Sequence, residues 1–137
     1  MVVIRLLAAT AVAASLVACA GQPMGPDRDP RGEARLAQAL AGKVPGRPIK
    51  CLPTYRTNQM EVIDRDTILY RDGRTVYVQN TNGHCYPNGP RGGYYLVTRS
   101  FGTAALCSGD IAQVVDSASR MFAGSCSFNE FIPYYAQ

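Results

Sequence analysis

Five cysteines and a single histidine are the side chains of this 137-residue sequence with the widest chemical repertoire. His84 directly precedes Cys85, and a thiol beside an imidazole is the pairing on which cysteine nucleophiles depend. Neighbours in sequence rarely turn their side chains toward each other, so the adjacency favours a structural cysteine over a catalytic one. Asp64 and Asp66 could form an acid and base pair, but on either side of Arg65 they are better explained as solvated turn residues. We therefore predict no catalytic residues and a protein that is not an enzyme.

Metal and cofactor motifs are equally weak in the sequence. No two cysteines have Cys-x-x-Cys spacing, and no second histidine could join His84 in a paired metal site. A calcium loop beginning at Asp64 fails because Ile68 stands where a third ligand is required. The glycine-rich residues 89–93 lack the Lys-Ser or Lys-Thr pair of a phosphate loop. We expect neither a metal nor a cofactor.

The first cysteine, Cys19, lies at the end of an apolar leader. Residues 6–18 form an apolar stretch behind Arg5, which is typical of a signal peptide and too short for a transmembrane helix of about twenty residues. Leu16-Val17-Ala18-Cys19 resembles the bacterial lipobox, so we expect a lipoprotein signal peptide at 1–18. The alternative is an ordinary A-x-A cleavage site that releases a soluble product.

A lipobox cysteine carries diacylglycerol on its thiol, and the amine freed by cleavage carries a further acyl chain such as palmitate. Several chains anchor a protein stably, whereas a single chain holds it only marginally. By resemblance to lipoproteins of Gram-negative envelopes, Ala20 and Gly21 favour export to the outer membrane. We therefore expect Cys19 to be lipidated and the domain to face the periplasm, with the membrane as its partner through the lipid anchor.

Residues 19–48 are expected to be a tether between this anchor and a domain at 49–137. They are rich in proline and glycine, a composition that cannot bury a core. Residues 32–41 are the exception, because Leu36 and Leu40 fall on one helical face. A helix this short is marginal in water, so we expect it to dock on the domain.

Residues 49–137 alternate short β-rich runs with turn residues. This texture predicts a mainly β fold, a small antiparallel barrel or sandwich with a short N-terminal helix. Residues 72–74 predict a hairpin turn, after which Val76 and Val78 would share one face of a strand and Tyr77 the other. The expected strands are residues 60–64, 67–71, 75–79, 93–99 and 128–135, with a long turn-rich loop at 80–93.

Residues 110–122 fit two structures. Their apolar positions match one face of a helix, and the run 111–115 is equally a strand that enters a turn. The residues alone do not decide between the helix and the strand.

Four cysteines remain once Cys19 is assigned to the anchor. In a small exported domain they predict two disulfides, for which three connectivities are possible. Closing loops of these lengths stabilises a domain by roughly 3 to 4 kcal/mol each. The four are Cys51, Cys85, Cys107 and Cys126.

Six short segments of the sequence together resemble a known protein family. They are Lys50-Cys51-Leu52, Val62-Ile63-Asp64, Thr67-Ile68-Leu69-Tyr70-Arg71, Leu106-Cys107-Ser108, Asp110-Ile111 and Phe131-Ile132-Pro133-Tyr134. Together they resemble a family of small uncharacterised envelope lipoproteins of Gram-negative bacteria. The resemblance implies a strand at 110–122, and it favours pairing Cys51 with Cys107, which leaves Cys85 with Cys126. The family has no assigned activity, so the resemblance implies fold and location but no reaction.

Charge and aromatic content suggest what the domain contacts. The formal net charge is +4, and the twelve arginines and two lysines form no cluster in the sequence, so we expect no nucleic-acid partner. Tyrosines can stack on sugars or contact peptides, although they can equally complete a small core. We expect a structural or binding module of the envelope, with an envelope protein or glycan as partner; the alternative is a periplasmic enzyme or inhibitor whose site no linear motif exposes. The possible ligand surface comprises Tyr86, Tyr94, Tyr95, Tyr134 and Tyr135.

Overall fold

The computed structural model describes residues 29–99 and 104–137. The fold is a curled antiparallel sheet with one helix, which confirms the mainly β expectation. The expected signal peptide at 1–18, Cys19 and the first part of the tether lie outside the described residues. In chain order the helix and strands are α1 (Pro30–Leu40), β1 (Lys43–Pro45), β2 (Cys51–Pro53), β3 (Met60–Val62), β4 (Thr67–Asp72), β5 (Thr75–Asn82), β6 (Tyr94–Thr98), β7 (Ala105–Cys107), β8 (Ile111–Asp116) and β9 (Phe122–Ala136).

Strand β9 is the centre of the sheet. It is fifteen residues long, and it bonds to β5 along one edge and to β8 and then β1 along the other. The strand order is β3-β4-β5-β9-β8-β6, while β2 and β7 form a separate two-stranded ribbon. The register shifts between Gln79 and Thr81 and between Val114 and Val115. Irregularities of this kind bend a strand and increase its twist, which accounts for the curl of the sheet.

The two faces of the sheet carry separate apolar clusters. We call the face covered by the β2 and β7 ribbon the inner face, because Leu52 and Leu106 of the ribbon are buried in its cluster. The outer face is covered by α1. On β5, Tyr77 belongs to the inner cluster and Val76 and Val78 to the outer one, as the alternation predicts.

The helix α1 confirms the short helix expected in this region, with its start two residues earlier. Asp29 caps its N-terminus by accepting a hydrogen bond from the backbone N–H of Gly32, and Pro30 occupies its first turn. Leu36 is buried in the outer cluster, and the Arg35 guanidinium donates to the carbonyl of Ile63. The helix therefore gains its stability from docking rather than from its own length.

Residues 43–45 differ from the expected tether. They form β1, in which Lys43 lies opposite Ala136 and Pro45 opposite Tyr134. A three-residue strand is too short to show an alternating pattern, and proline is tolerated because the strand is at an edge. Residues 43–45 are therefore part of the sheet.

Residues 111–116 form strand β8, as the resemblance implied. The strand ends at Asp116, whose carboxylate accepts hydrogen bonds from the backbone N–H groups of Ala118 and Ser119 and from the Ser119 hydroxyl. These hydrogen bonds, those from Ser119 first, lower the pKa of Asp116. Arg120 then adopts a left-handed conformation with φ 61° and returns the chain into β9. The turn chemistry of Asp116 thus ends the run that could have continued as a helix.

Within residues 29–99 and 104–137, no helix has the length and apolar character required to cross a bilayer.

Candidate functional site

All four cysteines of the folded domain are in disulfides. Cys51 is bonded to Cys107, which staples β2 to β7, and Cys85 to Cys126, which fixes the loop after β5 to β9. These are the two pairs that the resemblance favoured. Because Cys85 is bonded and fully buried, the thiol that a cysteine nucleophile beside His84 would need is not available in this structure.

His84 instead pairs with a carboxylate. Its Nδ1 lies 2.6 Å from Oδ1 of Asp66, with half of the His84 side chain exposed to solvent. The pair links the loop after β5 to the turn before β4.

Asp64 lies in the same turn and differs from its expected solvated state. It accepts a hydrogen bond from the backbone N–H of Asp66, as a turn residue would, yet it is only 4% exposed. It is buried because α1 packs over the turn: a Cβ on Gly32 would lie 3.3 Å from the Cβ of Asp64. Among residues 29–99 and 104–137, no group of three His, Cys, Asp or Glu side chains is placed to hold a metal ion.

A cavity of about 380 Å³, which we call the tyrosine cavity, opens at the edge of the inner cluster. Strand β4, the loop after Cys85 and strand β6 bring four tyrosines to its wall, namely Tyr70, Tyr86, Tyr94 and Tyr95. The rest of the lining is apolar or carries hydroxyl groups, including Leu96, Phe128 and Thr54. The cavity therefore offers aromatic rings together with hydrogen-bonding hydroxyls.

The rings of the tyrosine cavity are held by specific contacts. The Tyr70 ring lies 6.0 Å from that of Phe131, between centroids. The Tyr86 hydroxyl lies 3.7 Å from Sδ of Met60, and the Tyr94 hydroxyl accepts from Nδ2 of Asn88 at 3.3 Å. Such contacts preorganise a binding surface, because little side-chain freedom is left to lose when a ligand arrives.

The hydroxyl groups of Tyr70 and Tyr86 remain protonated at neutral pH. Burial raises the pKa of Tyr70 far above its usual range, and the nearby Tyr86 raises it further. Burial also raises the pKa of Tyr86. These two tyrosines can donate hydrogen bonds to a ligand, but they are poorly suited to proton transfer near neutrality.

The structure brings together only part of the expected tyrosine surface. Tyr86, Tyr94 and Tyr95 all line the cavity, although Tyr95, unlike its neighbours on β6, does not pack against the inner cluster. Tyr134 instead packs on the outer cluster, and Tyr135 lies opposite Val44 on β1 with 48% of its surface exposed. These two are placed elsewhere because β9 runs past the cavity before it reaches them.

Tyr70 and Phe128 are lining residues that the sequence did not single out. Tyr70 shares a strand face with Ile68, so alternation could have marked it as inward-facing. Tyr70 lies near Tyr86 and Tyr94 because the sheet curls, and no local sequence pattern predicts that curl.

Comparison of this chain with protein-family models, with curated proteins and with solved structures gave no match.

Proposed function

We propose that the mature chain is a binding module of the cell envelope, anchored in the outer membrane through lipid on Cys19 and facing the periplasm. Its ligand site is the tyrosine cavity. The observation that carries the binding role is the lining itself: within the described residues it contains rings, hydroxyls and aliphatic groups but no carboxylate, imidazole or thiol.

A glycan is the ligand class that this lining fits best. Tyrosine rings stack on the apolar faces of sugars, while phenol and threonine hydroxyls can bond to sugar hydroxyls. The volume, about 380 Å³, lies at the small end of the usual range for ligand sites, about 300 to 1,000 Å³. We therefore propose that the cavity holds a short segment of an envelope glycan.

The two disulfides and the leader support the location. Disulfides persist in oxidising compartments such as the periplasm and are rare in the cytosol. The apolar run that ends at Cys19 has signal-peptide length.

The pair of His84 and Asp66 is the observation relevant to the alternative that the protein is an enzyme. Neither residue lines the tyrosine cavity, and the adjacent sulfur is in a disulfide. A binding role accordingly accounts for more of the described residues than a catalytic one.

Replacing Tyr94 with alanine is expected to weaken glycan binding about tenfold, because it removes a wall of the cavity and the stacking of one ring. Binding would be measured by calorimetry and by NMR shifts with two glycan probes, a peptidoglycan disaccharide and a lipopolysaccharide core oligosaccharide. Tyr135→Ala is the matched control, since Tyr135 is exposed and outside the cavity. Binding of a short peptide but of neither sugar would contradict the glycan assignment, and equal losses in both variants would contradict the site.

Replacing Cys19 with alanine is expected to abolish the acyl mass completely, because no other group can take the thioether-linked diacylglycerol. Wild type and variant would be expressed in a Gram-negative host and compared by detergent partitioning and intact mass. Ser15→Ala keeps the apolar leader and the cysteine, so it should retain the acyl mass. A soluble wild-type chain that begins at Gly21 without acyl mass would overturn the anchor.

A further inference from the structure

Four arginines that are dispersed in the sequence converge on one cleft. The cleft has a volume of about 800 Å³ and lies between the start of α1, the turn before β4 and the turn at residues 89–91. We call it the arginine cleft. Its charged lining residues are Arg31, Arg35, Arg65, Arg91, Asp29 and Asp64.

The backbone around the arginine cleft is fixed by several contacts. Arg35 donates to the carbonyl of Ile63, and the carbonyl of Arg65 accepts from the backbone N–H of Tyr86 at 3.2 Å. Gly89 has φ 60°, which favours glycine, and a Cβ there would lie 3.9 Å from Cα of Asp64. The three segments are thus held against one another without a ligand.

The balance of charge in the cleft favours an anion. Four arginines and two aspartates line the cleft, and both carboxylates already accept backbone hydrogen bonds, Asp29 from Gly32 and Asp64 from Asp66. Arg31, Arg65 and Arg91 are exposed, and their side chains make no hydrogen bond or ion pair with another of the described residues. Gathering like charges is unfavourable unless an anion offsets it.

Phosphate is the anion that this donor set matches best. A guanidinium presents planar, paired N–H donors that bond two phosphate oxygens at once, and several such groups around one opening can hold it from different sides. We propose that the arginine cleft binds the phosphate group of an anionic envelope lipid.

The choice of a lipid as the source of the phosphate rests on the anchor proposed above. Asp29, at the edge of the cleft, is ten residues beyond Cys19, and ten extended residues span at most about 36 Å. An acylated Cys19 would therefore keep the cleft within that distance of the bilayer surface. Headgroup binding would orient the domain on the membrane, in addition to the lipid that holds it there.

The test uses the mature chain, residues 19–137, with Cys19→Ala, which carries neither the apolar leader nor an acyl group, so that binding through the cleft is separated from anchoring. Sedimentation with vesicles of phosphatidylglycerol and of phosphatidylcholine would be measured together with NMR shifts on titration of inorganic phosphate. Arg65→Gln with Arg91→Gln is expected to weaken binding to phosphatidylglycerol about tenfold or more. Arg47→Gln with Arg74→Gln removes the same charge from exposed positions outside the cleft and should have a much smaller effect.

Each outcome of these measurements either supports the proposal or overturns a stated part of it. Preferential loss in the cleft variant, with phosphate shifts at the cleft, supports the proposal. Phosphate shifts at the cleft without vesicle binding would overturn the lipid source and leave a site for a free phosphate. Equal losses in the two double variants would mean a diffuse charge effect and would overturn the site. Because the chain lacks the acyl group, these results hold whether or not wild type is lipidated.

Discussion

Replacing Cys85 and Cys126 together by alanine is expected to lower the free energy of unfolding by at least about 4 kcal/mol. The loop that this disulfide closes, with a sequence separation of 41, accounts for about 4 kcal/mol in the chain-entropy model. Both sulfurs are also buried in the inner cluster, so their removal leaves unfilled space beside Tyr86. Urea denaturation of the oxidised proteins would measure the change.

The second disulfide provides a matched comparison. It closes a longer loop, with a separation of 56, so chain entropy alone makes its loss larger by about 0.3 kcal/mol. Cys51 is exposed and Cys107 half-buried, however, and replacing them removes little packing. We therefore expect the double alanine variant of Cys51 and Cys107 to be the more stable of the two. The reverse order would show that burial of the Cys85 disulfide contributes nothing beyond loop closure.

Phe131→Ala is expected to lower the free energy of unfolding by about 3 to 5 kcal/mol, as is usual for a phenylalanine removed from a packed core. Phe131 is fully buried, contacts the Tyr70 ring and lies on β9 opposite Gln79. Its backbone also exchanges two hydrogen bonds with Ile49, at 2.8 and 2.9 Å. The backbone bonds survive the substitution, so the loss measures the packing of the ring.

Phe122→Ala is the control for that experiment. It changes the same residue type on the same strand, but Phe122 is 66% exposed, so the expected change is within about 0.5 kcal/mol. Thermal and urea unfolding of both variants would be compared with wild type. Similar losses at the two positions would contradict the assignment of Phe131 to the inner core.

Local patterns in the sequence account for much of the secondary structure. The alternation of Val76, Tyr77 and Val78 assigns each side chain to its observed face, because successive residues of a strand point to opposite sides. Residues 72–74 join β4 to β5, as the turn chemistry predicts. Leu36 marks the buried face of α1 through helical periodicity.

Other features escaped prediction because they depend on partners far away in the chain. Strand β1 is defined by the end of β9, some ninety residues later, and not by its own composition. Asp64 reads as a solvated turn residue, yet docking of α1 buries it. Neither contact can be predicted from these residues or from their neighbours in the sequence.

The chain by itself therefore specified the β-rich class, the docked helix, the hairpin at residues 72–74 and a set of four cysteines suited to two disulfides. Tertiary structure alone decided where the candidate sites lie. The curl of the sheet places Tyr70 in the same cavity as Tyr86 and Tyr94. The docking of α1 beside the turn before β4 places Arg31 in the same cleft as Arg65 and Arg91. Periodicity and turn chemistry act over a few residues, whereas the convergence of distant side chains depends on how whole helices and strands pack. For this reason the arginines are dispersed in the sequence but line a single cleft in the folded protein.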